Sequence, residues 1–240
     1  MRMVTASGRS RWPLVIGGGL LVLAIGGGIA YTATQPATEP ATTPTPSVPT
    51  ATPTPTATGG ASGSGDNEDD VAPTGCLGGL DRDVNMVLSA QKAAKHSAYG
   101  AVEVATAFYR FVWQSPYPAS ADAIAVSDAI MSTGTPESYR DLAGTYASTD
   151  DLTNGEVEPG APFHLSTTNG LWLVGENSKA DRVTVNIAAG YVVNGELSPT
   201  KVTAQAFVMV WEDGAWHVAE GEQPDAEKLT AGGNRYTGGC

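Results

Sequence analysis

Three histidines, two cysteines and two acidic clusters are the residues of this chain best suited to catalysis, metal binding or cross-linking. His96, His164 and His217 stand far apart, and no Cys or second His lies at the spacing a zinc site needs. His217 falls between Trp216 and Val218, so on a strand it points away from both, either into a domain interior or out to solvent. We read it and His164 as surface or internally satisfied histidines. The cluster Asp66, Glu68, Asp69 and Asp70 lacks the Gly and Glu of a calcium loop, because Val71 and Leu77 occupy those positions. In the second cluster, Asp150, Asp151, Asn154 and Glu156, Leu152 stands where an oxygen ligand would be needed. Neither a nucleophile elbow nor a phosphate-cradling glycine loop occurs in the sequence. The expectation is a protein that is not an enzyme and needs no cofactor or metal.

Cys76 and Cys240 are the first residue of the foldable segment and the last residue of the chain. In an exported compartment a bridge between them would clip the ends of one domain together. Pairing between chains and free thiols are the alternatives.

The elements that position these residues belong to segments of different physics. Residues 1–11 carry Arg2, Arg9 and Arg11 and no acid, and residues 12–31 are free of charge. As a helix those twenty residues would span about 30 Å, the thickness of a bilayer core. The arginines place the N-terminus in the cytoplasm by the positive-inside rule, with Trp12 and Tyr31 at the interfaces. The reading is a single-pass anchor in the cell membrane with the rest of the chain outside, and a cleaved signal peptide with Gly28-Ile29-Ala30 at its site is the alternative. Residues 32–75 hold eight prolines and almost no large apolar side chain, a disordered Pro/Thr/Gly-rich stalk.

Residues 76–240 form the extracytoplasmic domain, with ten Lys/Arg against twenty Asp/Glu, an excess that argues against nucleic acid as a partner. Helices come first. Asp81 is placed as the cap of one reaching towards Lys95, and residues 100–113 form the principal core helix, with Val104, Ala105, Phe108, Phe111 and Val112 at helical spacing. Ser120 caps a third that buries Ile124 and Ile130, and Pro136 starts a fourth with Tyr139, Leu142, Ala143 and Tyr146 inward. From Asp150 the period becomes two. Val183, Val185, Ile187, Ala189 and Tyr191 mark a half-buried strand, Asn194-Gly195 a turn, and residues 202–211 a second long strand. Asp213-Gly214 predicts a two-residue hairpin that sets Trp211 opposite Trp216. Shorter strands lie at 162–165 and 171–174. The fold class is α+β, helices packed on a curved antiparallel meander of four to six strands.

This order, an amphipathic helix, small helices, then long strands ending in the hairpin 208–218, resembles the nuclear transport factor 2-like cone fold. The layout of basic tail, anchor, stalk and such a domain is similar to bitopic proteins of actinobacterial conjugative elements, relatives of type IV secretion scaffolds. The resemblance implies a membrane-anchored, non-enzymatic structural or interaction protein of an envelope-spanning or conjugative-transfer complex, with envelope proteins and its own copies as partners. The alternative it leaves open is a small-ligand-binding or enzymatic cone domain of the lipid-uptake kind. A surface contact must then be sought on the sheet. Strand 202–211 carries Val202, Ala204, Ala206, Val208 and Val210 on one face and Thr203, Gln205, Phe207, Met209 and Trp211 on the other. If the valine face lines the core, Phe207, Met209 and Trp211 become an apolar interaction patch. The opposite arrangement buries those three and turns the small residues outward.

Overall fold

The computed structural model describes residues 71–240. The expected cytoplasmic tail (1–11), membrane helix (12–31) and all but the last five residues of the stalk (32–75) lie outside the described residues. Among the described residues no helix is long and apolar enough to cross a membrane.

The domain is α+β, with helices on a curved antiparallel sheet. Helix α1 (Val84–Ala93) is capped by Asp83, two residues beyond the expected Asp81; its carboxylate accepts the Met86 N–H at 2.9 Å. Helix α2 (Ala98–Val112) is the core helix, and Ser97 Oγ accepts from Gly100 N–H at its start. Every residue from Gly100 to Val112 except Glu103 is buried, the mark of a helix enclosed on all sides. A two-residue strand β1 (Gln114–Ser115) follows, then α3 (Ser120–Ile130).

Two expectations for the helices need correction. Ser120 is the first residue of α3 and makes no capping bond. The buried stripe of α3 is Ala123, Val126, Ser127 and Ile130, and that phase leaves Ile124 50% exposed. The fourth helix is split at Asp141 into α4 (Glu137–Arg140) and α5 (Leu142–Ser148). The split puts Leu142 and Tyr146 inside and leaves Tyr139 exposed.

Strands β2 (Phe163–Val174), β3 (Arg182–Val193), β4 (Glu196–Glu212) and β5 (Ala215–Glu222) form the meander. The expected strands at 162–165 and 171–174 are the two ends of β2. Helix α6 (Ala226–Gly232) and strand β6 (Asn234–Arg235) complete the chain. Sheet order is β1-β2-β3-β4-β5, with β6 beside β2.

The curvature comes from extra residues inserted on both sides of Gly190. Ser166 pairs with Gly190 but Leu171 with Ala188, so β2 advances five residues while β3 advances two. On the other side Val192 pairs with Leu197 but Gly190 with Val202, the same mismatch. Bulges of this kind bend and twist a sheet. Pro199 sits in the second, where no ladder hydrogen bond is asked of it, and Ser198 Oγ closes the loop by accepting from Lys201 N–H.

The β4 bulge also decides which face is inside. Extending the Val193 to Glu196 pairing regularly would put Ala204 beside Val185; three inserted residues put Phe207 there instead. An odd slip exchanges the faces of a strand. The proposed patch of Phe207, Met209 and Trp211 is thereby overturned for its first two members. Phe207 is 2% exposed and Met209 fully buried, on the concave face with Val183, Val185 and Ile187. Trp211, at the strand end, is half-buried. The small Ala/Val face lies on the convex side.

Candidate functional site

The concave face of the sheet is occupied by the protein's own side chains. The Phe207 ring meets Phe108 and Tyr109 of α2 edge-on, each at 5.6 Å between centroids, and Tyr191 meets Trp113 and Phe163 in the same manner. Such tilted pairs are favourable beyond their buried area. Tyr109 Oη donates to Thr203 Oγ1 at 3.3 Å, and burial holds its phenol well above the usual range. The concave side of the sheet is thus filled by aromatic rings.

The histidines take three different places. His96, in the α1–α2 loop, pairs with Asp181 at 2.7 Å and stacks on Trp211 at 4.3 Å between centroids. Trp211 in turn meets Trp216 edge-on at 5.4 Å across the predicted hairpin, whose central residues Asp213 and Gly214 both have positive φ. Trp216 Nε1 donates to the Lys95 carbonyl, so this end of the sheet is riveted to the α1–α2 loop. His217 pairs across the ladder with Val210, on the convex face. His164, on β2 opposite Gln114 of β1, is half-buried; burial, then Arg82 and Arg110, push its imidazole down to about 4.

The acidic loop is self-contained. One carboxylate oxygen of Asp151 accepts from Thr153 N–H and Oγ1, both at 2.7 Å, and the other from Gly155 N–H at 2.6 Å. Asp151 therefore closes a turn. Cys76 and Cys240 are joined in one chain, with Cα atoms 5.1 Å apart.

Among the described residues a cleft of about 410 Å³ opens on the convex side, between the α3–α4 loop and the ends of β3, β4 and β5. The loop is held there by strand-like bonds: Ser132 N–H donates to Val218 O, and Thr135 Oγ1 to Val218 O and Ala219 O. Its wall is Ser132, Gly134, Pro136 and the exposed Tyr139; its floor is Val210, Arg182, Glu212 and Glu220. Glu212 accepts from Ser132 Oγ at 2.7 Å and from Thr133 N–H at 3.2 Å. Those bonds, Ser132 first, hold its carboxyl below the usual carboxylate range. Arg182 and Glu220 pair at 2.7 Å, each about half exposed. An exposed pair of this kind contributes little stability, about 0–1 kcal/mol, and both groups can change partner.

None of the three expected patch residues, Phe207, Met209 and Trp211, lines this cleft, though Val210 and Glu212 on either side of Trp211 do. No signal in the sequence marked Tyr139, Arg182 or Glu220 as neighbours. No family model, curated protein or solved structure matches the chain.

Proposed function

We propose that this chain is a membrane-anchored, non-enzymatic interaction protein. Its extracytoplasmic domain, built on a nuclear transport factor 2-like cone, would assemble with envelope proteins, further copies of itself among them, in an envelope-spanning or conjugative-transfer complex. The observation that carries the reading is the filled concave face: Phe108, Tyr109, Phe207 and Tyr191 occupy the volume an enzyme or carrier of this shape would leave for substrate. The charge-free run at 12–31 and the Pro-rich segment after it support the tethered arrangement.

The convex cleft is the contact surface this reading favours. It is concave, mixed in charge, and carries an exposed aromatic side chain at its wall, the residue type enriched where interfaces gain most of their energy. A photo-reactive amino acid at Tyr139 of the full-length chain in its native membrane tests this. A cross-linked adduct with another envelope protein or a second copy is expected there, and none from Glu158, an exposed position in the loop before β2. Equal labelling from both positions would remove the cleft from the proposal. A tightly held small molecule co-purifying with the domain would favour the ligand-binding reading instead.

A further inference from the structure

Arg110 is the group the fold leaves least explained. It is fully buried on α2, yet only Nη1 is bonded, to the carbonyls of Leu77 at 2.5 Å and Gly79 at 3.0 Å. Nε and Nη2 have no partner. Those two nitrogens form the side-on edge of the guanidinium, two parallel N–H groups spaced for two oxygens of one oxyanion. A buried charge without counter-charge is strongly unfavourable unless something satisfies it.

Arg82 adds positive charge nearby, and His164, its imidazole neutral near pH 7, adds a hydrogen-bonding ring. Gln114, one turn beyond Arg110, donates through Nε2 to the Arg82 carbonyl at 3.0 Å and faces His164 across the β1–β2 ladder. Arg82 and His164 are thus brought to the same end of α2 as Arg110. Both are half-buried, and Arg82 Nε is also buried without a partner. The charged group acting on Arg110 is Arg82, and those acting on His164 are Arg82 and Arg110; the nearby Tyr236 phenol is kept neutral by burial and bonded to Thr106 Oγ1 at 2.7 Å.

We propose that Arg110, Arg82 and His164 form a binding site for a small oxyanion, a carboxylate or phosphate group, which takes the Nε/Nη2 edge of Arg110 and is closed in by Arg82. Entry is past the half-buried Arg82 and His164, at the sheet edge where β1 meets β2. The site is independent of the convex cleft. The Arg110 side chain is fully buried on α2, out of reach of a headgroup held in a bilayer, so the occupant is a small soluble anion rather than a lipid.

Calorimetric titration of the full-length chain in detergent, with inorganic phosphate and with acetate as separate probes in chloride buffer of matched ionic strength, tests the assignment. Saturable binding of at least one probe is expected, weakened at least ten-fold by Arg82→Gln and lost in Arg110→Gln. Lys179→Gln, an exposed position, makes the same charge change and should leave binding as in the parent. Should Arg110→Gln fail to fold, Arg82→Gln and His164→Asn decide. Absence of saturable binding by either probe, or binding equally weakened by Lys179→Gln and Arg82→Gln, would overturn the site.

Discussion

Phe207 joins the two layers of the domain, because two rings of α2 rest against it and Val185 pairs with it across the ladder. Truncating a buried aromatic removes its transfer energy and leaves a cavity, together about 3–5 kcal/mol. Phe207→Ala is therefore expected to lower the unfolding free energy by that amount, read from the urea midpoint and slope. Val202→Ala, 57% exposed on the other face, should stay within about 0.5 kcal/mol of the parent. A loss below about 1 kcal/mol for Phe207→Ala would mean the ring is not core. Arg110 obeys the opposite logic: its burial is an energetic cost, and the burial of α2 on all sides imposes it. Reading the helix by its apolar stripe misses this, since an arginine between Tyr109 and Phe111 looks like the solvent face of an amphipathic helix.

The hairpin of β4 and β5 can be tested in isolation from that core. Asp213 and Gly214 have φ of 50° and 84°, the left-handed pair a type I′ turn requires. A Cβ at Gly214 would meet no neighbour within 4 Å, so the cost of a side chain there is chiefly conformational, about 1–2 kcal/mol. Gly214→Val should lower the denaturation midpoint accordingly and Asp213→Asn, which tolerates positive φ, hardly at all; equal effects would show that the turn does not limit the hairpin. This element was legible because its geometry admits few residue types, and β3 because five inward residues repeat at period two. Helix α6 was missed although Asp225 caps it, its carboxylate accepting from Lys228 N–H. The bulges beside Gly190 were not legible, because Asn169-Gly170 and Ser198-Pro199 are residue pairs that by local rules end strands. Only the pairing on either side of them shows that the strands continue and that the face of β4 is exchanged. The convex cleft depends on the α3–α4 loop crossing to the β5 edge, a contact between residues about eighty apart that no local pattern encodes.

At the scale of the whole molecule, the two ends of the domain converge on the β2 bulge. Thr74 bridges Thr237, Gly75 N–H donates to Thr237 O, and Thr167 N–H in the bulge donates to Cys240 O. Thr74 thus pairs with the domain from inside the segment expected to be stalk. The disulfide adds a covalent tie to this cluster across a sequence separation of 164. By chain entropy a loop so long stabilises by up to ~5 kcal/mol, because the unfolded chain loses much freedom when its ends are joined. The segment it secures also carries the Leu77 and Gly79 carbonyls that hold Arg110. Replacing both cysteines (Cys76→Ser with Cys240→Ser) should lower global stability by several kcal/mol, up to the ~5 of the entropy estimate. It should also raise hydrogen exchange first at residues 74–80 and 237–240, while β3 and β4 keep their protection near the new global limit. The hydrogen bonds to Thr167 and Thr237 remain in that variant, so the sheet itself has no reason to open early. Uniform loss of protection across the domain, or an unchanged denaturation midpoint, would show that the clip neither secures the ends nor constrains the unfolded chain.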